Sequence, residues 1–134
     1  PGGRLGARLA RVADLMHTGQ ALPLVTEDTA MGEALVRMSA KGFGVVGVTD
    51  AEGRLTGIVT DGDLRRHLNG LLECTAAEVM TRAPRTISPQ ALAEEAGARM
   101  NARKITCLFA VAPGGDGRPE GMIHIHDCLR AGVV

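Results

Sequence analysis

An α/β fold built from one unit used twice is predicted by three observations on this chain. Gly57, Asp63, Met16 and Gly53 each recur 64 residues later, as Gly121, Asp127, Met80 and Gly117. A fixed period of this size marks a structural repeat. Each copy also runs through the same order of predicted elements: extended segment, helix, strand, strand, helix. Finally, each copy closes on one kind of phrase, Gly57-Ile58-Val59-Thr60-Asp61-Gly62-Asp63-Leu64-Arg65 and Gly121-Met122-Ile123-His124-Ile125-His126-Asp127-Cys128-Leu129-Arg130. Units this small leave an apolar sheet face uncovered, so the two are expected to pack together with pseudo-twofold symmetry. The boundaries read as residues 1–11 for a linker or lead-in helix, 12–72 for the first repeat and 73–134 for the second.

The elements follow in order. Arg4 to Leu15 places Leu5, Leu9 and Val12 at helical spacing with Arg4, Arg8 and Arg11 on another face, a short amphipathic helix. Met16-His17-Thr18-Gly19 makes a turn, and Leu22 to Val25 is extended. Thr29 is placed to cap a helix whose Met31, Ala34, Leu35 and Met38 share one face, ended by Lys41-Gly42. Val45 to Thr49 and Leu55 to Thr60 are strands joined by the turn Asp50-Ala51-Glu52-Gly53. Asp61-Gly62-Asp63 opens a helix expected to reach Leu72, with acids in its first turn.

The second copy repeats this with Ala76 to Met80, Arg85 to Ser88 and a helix over Leu92 to Arg103. Ala96 and Met100 stand 62 residues after Ala34 and Met38, so the first copy holds two extra residues in Gly19–Leu22. The second recovers them at Pro113-Gly114-Gly115-Asp116-Gly117. Both length changes fall in turns, where a repeat tolerates them. The second long helix has Gly97 in the place of Leu35 and Ala91 in that of the capping Thr29.

Composition excludes several classes. Lys+Arg and Asp+Glu both number 15, a zero net charge that argues against binding nucleic acid through its phosphates. Three scattered cysteines, in no C-x-x-C spacing, read as reduced thiols in a cytoplasmic protein. No apolar run approaches the ~20 residues that span a bilayer. The start at Pro1, without a Met, reads as a piece of a longer protein. Phe43 and Phe109 are the only aromatic residues of the Phe, Tyr and Trp type, so a bound base would be gripped by aliphatic side chains and backbone.

The chemistry-bearing residues cluster at the closing phrases. Thr60 precedes Asp63 by three, and His124 precedes Asp127 by three, each where a strand gives way to a helix. A carboxylate there can accept hydrogen bonds from a vicinal diol, which suits a nucleotide. It can also simply cap the helix, although Asp61 is placed to do that alone. No nucleophile is paired with a base, so the chain itself reads as no enzyme. His17 and Thr18 line a cleft or close their turn. His124 and His126, two apart on a strand, would share a face at metal-ligand spacing, but no third ligand is evident and no metal is expected. Cys107 and Cys128 read as small buried hydrophobes.

The element order, with Gly-x-x-Thr-x-x-Asp at its end, resembles the CBS domain, a module that occurs as tandem pairs. The match runs from Val12 to Arg130. Asp14-Leu15-Met16-His17-Thr18-Gly19, Thr60-Asp61-Gly62-Asp63-Leu64-Arg65-Arg66, Arg103-Lys104-Ile105-Thr106 and the close at His124-Ile125-His126-Asp127 look like the C-terminal CBS pair of bacterial arabinose-5-phosphate isomerases. In that family a sugar-isomerase (SIS) domain precedes the pair, and its product feeds synthesis of Kdo, an acidic sugar of lipopolysaccharide or capsule.

The resemblance implies a ribose site at Thr60 and Asp63, and a second centre at Asp127 where His124 replaces the usual Thr. Arg103, Lys104 and Thr106 lead into the strand beside that centre and, with His124, suit an anionic ligand. It further implies a regulatory module that binds a nucleotide or nucleotide-sugar, with CMP-Kdo as the candidate effector, no resident cofactor, and a homodimer or higher oligomer. An adenylate sensor for AMP or ATP and a structural dimerisation module without ligand are the alternatives.

Overall fold

A computed structural model of the chain describes residues 9–134. Arg4, Leu5 and Arg8 of the expected lead-in helix lie outside the described residues. Of the remainder, Val12–Leu15 forms α1, with Val12 fully buried and Leu9 exposed.

The first copy then gives β1 (Leu24–Thr26), α2 (Met31–Lys41), β2 (Val45–Thr49), β3 (Leu55–Thr60) and α3 (Asp61–Arg66). After α4 (Ala76–Val79) and β4 (Thr81–Arg82), the second copy gives β5 (Thr86–Ile87), α5 (Ala93–Arg103), β6 (Cys107–Val111), β7 (Pro119–His124) and α6 (Ile125–Ala131). The predicted β-α-β-β-α order is present twice. The two-residue offset also falls where expected: a 3₁₀ turn at Gly19–Ala21 stands in the first copy, and the β6–β7 hairpin is the longer one.

The chain divides into two compact units that are not cut between the copies. One is Gln20–Pro84; the other joins residues 9–19 to residues 85–134. The segment leading each copy in sequence therefore docks on the body of the other. In Gln20–Pro84 the sheet order is β1-β2-β3-β4, with Gly57 paired to Arg82 and Ile58 to Thr81. In the other unit β5-β6-β7 forms the sheet, and His17 bridges Met122 at the position where Thr81 meets Ile58.

This exchange explains why the long helices need no side-chain cap. Thr29 does not cap α2; its hydroxyl accepts from the Thr26 backbone N–H instead. The first α2 amide, Met31 N–H, donates to Cys74 O at 2.9 Å, and the first α5 amide, Ala93 N–H, donates to Ala10 O at 2.8 Å. A backbone carbonyl from the exchanged segment satisfies an otherwise unpaired donor at each helix start. The α2 helix ends at Gly42 in the left-handed conformation, φ 75°.

Each unit buries its own core. Val25, Met31, Ala34, Val46, Val48, Val59 and Val79 pack in one, and Val12, Ile87, Ala96, Met100, Leu108, Ile123 and Cys128 in the other. At Gly97 in α5 a Cβ would collide with the Val134 side chain, so the glycine makes room for Val134. The expected helix from Asp61 to Leu72 is shorter than read. It stops at Arg66, and after Gly70, at φ 77°, a 3₁₀ turn spans Leu71–Glu73. Among the described residues no helix is long and apolar enough to cross a membrane.

Candidate functional site

Both units hold the same carboxylate-centred network at the strand-to-helix junction. In Gln20–Pro84, Asp63 is 1% exposed. Its Oδ2 accepts from Thr60 N–H at 2.8 Å and from the Thr60 hydroxyl at 3.1 Å. Its Oδ1 accepts from the Thr81 hydroxyl at 2.6 Å and from the Arg66 guanidinium. Burial alone would raise the Asp63 pKa, but the hydrogen bonds from Thr81 and Thr60 and the charge of Arg66 outweigh it and hold the carboxyl below its usual range. Thr60 is therefore the N-cap of α3, and Asp63, not the exposed Asp61, closes the capping box from the third helical position.

In the other unit Asp127 is also buried. Its Oδ2 accepts from His124 N–H at 2.8 Å, its Oδ1 accepts from Arg130, and His17 Nε2 lies 3.0 Å from both oxygens. Position by position the two networks are offset by 64 residues: Thr60 with His124, Asp63 with Asp127, Arg66 with Arg130, and Thr81 with His17. Two threonines in one centre are two histidines in the other. A hollow of about 400 Å³ opens beside the second centre, lined in part by Asp14, His17 and Arg130.

The strand expected to carry both His124 and His126 ends at His124, and His126 belongs to α6. The metal-pair geometry read from strand alternation is therefore not formed. Instead the His126 backbone N–H donates to His124 Nδ1 at 3.0 Å, and the ring centroids are 4.4 Å apart at 55°. His124 is thus the Nε2–H tautomer. Among the described residues no group of three potential metal ligands occurs.

Burial, then the neighbouring His126, lowers the His124 pKa, while the Asp127 charge opposes the shift. Protonation would also forfeit the bond from His126. With a depressed folded-state pKa, His124 contributes stability above the ordinary histidine value of about 6.5 that is lost as pH falls through the folded value. We expect His124→Thr to flatten the dependence of the melting temperature on pH below about 6.5, measured by calorimetry from pH 7.5 to 5. An unchanged slope would assign that dependence to other groups.

Of the other predicted residues, Thr106 is drawn to the second centre, since its carbonyl accepts from Ile125 N–H at 2.7 Å. Lys104 is the left-handed cap of α5, φ 57°, with Arg103 before it, and both are exposed. Thr18 is exposed beside His17. Thr60 and Asp63 belong to the first centre. Cys107 and Cys128 are thiols whose pKa burial raises, that of Cys107 to about 11, so neither is an activated nucleophile at neutral pH. The network members not anticipated are Thr81, Arg66 and Arg130, although the 64-residue spacing already pairs Thr81 with His17 and Arg66 with Arg130.

Comparison with known proteins agrees with this architecture. The CBS domain family matches residues 10–70 and 76–134. Arabinose 5-phosphate isomerase KdsD of Pseudomonas aeruginosa is 44% identical over 138 residues, covering all of this chain and 42% of that protein. KdsD of Escherichia coli K12 is 40% identical over 138 residues, and an uncharacterized protein of Rickettsia prowazekii is 42% identical over 134. The chain thus spans about two fifths of the length of these curated relatives. Among solved structures, CBSX2, a CBS-pair protein of Arabidopsis thaliana solved with AMP, superposes with a TM-score of 0.78 at 26% identity, over 91% of this chain and 95% of that one. A Pyrococcus horikoshii protein superposes at 0.80 with 24% identity, over 99% of this chain and 58% of that one. Two repeats of one α/β unit, each closing on a buried aspartate, and a family match over both of them place the chain in the CBS domain family as a tandem pair.

Proposed function

We propose that the chain is the regulatory, ligand-binding part of an arabinose-5-phosphate isomerase, taking a nucleotide-type effector at its aspartate centres. The observation that carries this reading is the duplicated network. In each copy a buried carboxylate is held in place by donors from separate segments and covered by one exposed arginine. The Arg66 and Arg130 side chains are 62% and 68% exposed, so their ion pairs are weakly held and open to exchange. At Asp63 a ribose diol brings two hydroxyl donors in exchange and is fixed by them. The likeness to CBSX2, solved with AMP, supports a nucleotide. The identity to KdsD proteins supports the isomerase context.

The histidine-bearing centre favours a ligand carrying an acid, which is why an acidic sugar nucleotide such as CMP-Kdo is the candidate effector. Its action requires that it bind one state of the whole enzyme better than another. Isomerisation itself belongs to an SIS domain of the longer protein, which works in the cytoplasm as a homodimer or larger assembly. The AMP in CBSX2 favours an adenylate sensor as the second reading.

A thermal-shift screen of CMP-Kdo, CMP, AMP and ATP on this chain tests the proposal. A ligand at a hundred times its Kd adds about 2.7 kcal/mol to the folded state. A shift with CMP-Kdo that exceeds the shift with CMP is expected. AMP or ATP binding that CMP-Kdo does not displace would establish the adenylate sensor, and no shift with any of the four would leave a structural module.

A further inference from the structure

We infer that His17 is a built-in occupant of the second centre, closing Asp127 to a ribose diol, so that only Asp63 takes a nucleotide by its ribose. This rests on the nucleotide reading above and goes further by assigning the number of diol sites and the residue that sets it.

The two centres are alike in their aspartate, their exposed arginine and the backbone N–H at the strand end. They differ in what covers the carboxylate. On Asp63, one place on each oxygen is held by a threonine hydroxyl, Thr81 on Oδ1 and Thr60 on Oδ2. A hydroxyl turns about its C–O bond and can both donate and accept, so it adjusts to an incoming sugar at little cost. On Asp127, a single imidazole N–H lies equidistant from Oδ1 and Oδ2, at 3.0 Å from each. That is the bridging position a vicinal diol would take.

The His17 backbone cannot yield. Its N–H donates to Met122 O at 2.9 Å and its carbonyl accepts from Met122 N–H at 3.0 Å. Met16, one residue before, packs against Gly121, where a Cβ would collide with its side chain. Displacing His17 therefore means rotating its ring off a buried carboxylate and leaving only Arg130 and His124 N–H on it. His124 does not replace the Thr60 hydroxyl either, because its Nδ1 is engaged by the His126 N–H. The rings of His124 and His126 remain where an acidic group can meet them, so closure to a diol and preference for an acid follow from one pair of substitutions.

Calorimetric stoichiometry with CMP and with AMP tests this, each titrated into the parent chain, His17→Thr, His17→Ala and Asp63→Asn. The parent chain is expected to bind one nucleotide, and Asp63→Asn to weaken that binding at least tenfold. His17→Thr supplies the residue type that the first centre has at this position, and His17→Ala opens the carboxylate outright. One or both should bind a second nucleotide, which persists when Asp63→Asn is added. In the parent chain the imidazole NMR signals of His17 should stay unmoved on titration. Two diol-bound nucleotides in the parent, or one in all His17 variants, would overturn the inference while leaving the nucleotide reading intact. Absence of binding by every nucleotide to any variant would overturn both.

Discussion

Asp63→Ala is expected to destabilise the fold by about 1–3 kcal/mol, the cost of leaving a buried hydrogen-bonding group without its partner. The melting temperature should fall by roughly 3–10 °C for a chain of this size. Asp63 is 1% exposed and receives hydrogen bonds from Thr60, Thr81 and Arg66. Truncation leaves the half-buried Thr60 amide without its acceptor, while the exposed Thr81 can turn its hydroxyl to water. It also cuts the polar link between α3 and the segment arriving from the second copy. Asp61→Ala, one turn position away and exposed, should cost about 0.5 kcal/mol or less. Chemical denaturation of both variants measures the contrast. Equal, small losses would show that Asp63 does not organise the junction.

An effect of similar size is expected at the glycines facing the exchanged segments. A Cβ on Gly57 would stand 2.9 Å from Thr81 O, and one on Gly121 the same distance from His17 O, with Met80 and Met16 closer still. A methionine can change rotamer, but a carbonyl bonded into the sheet cannot, so the docked segment must move. Gly57→Ala and Gly121→Ala should each cost about 1–3 kcal/mol, the usual penalty for overpacking. Hydrogen exchange should locate the loss at Thr81–Arg82 for the first and at Met16–His17 for the second. Protection lost evenly over each unit would mean that the close approach is not what holds the exchange.

The fold was legible wherever one copy could be checked against the other. The strands Val45–Thr49 and Leu55–Thr60 and the helix Met31–Lys41 form as read, because β-branched runs, helical spacing and a terminal glycine all act locally. Thr29 as a cap was not legible, since the donor it would satisfy is taken by a carbonyl from Cys74, 43 positions beyond Met31. The helix after Asp63 was overread because Leu64, Leu68 and Leu72 keep a helical spacing past Arg66, although Gly70 interrupts it. At the site, Thr60, Asp63, His124 and Asp127 stand out because each pair is local in sequence. The bond from His17 to Asp127 spans 110 residues. Only the recurrence of Met16 as Met80, with His17 and Thr81 following them, pointed to it. His126 was misplaced because alternation along a strand holds only while the strand continues, and here it gives way to α6 at Ile125.

Ligand binding should depend on pH through the second centre. Because burial lowers the His124 pKa, an acidic ligand gains from imidazole protonation below the ordinary histidine range. The most direct measurement is therefore a calorimetric titration of the chain with CMP-Kdo and with CMP at pH 7.5 and 5.5, in parallel with the His17→Thr/His124→Thr double variant. CMP-Kdo should bind the parent roughly tenfold or more tightly than CMP, as one charge-assisted hydrogen bond would provide. The difference should widen at the lower pH and shrink in the double variant. Equal affinities for the two ligands, with no change between the two pH values, would contradict an acid-selective second centre.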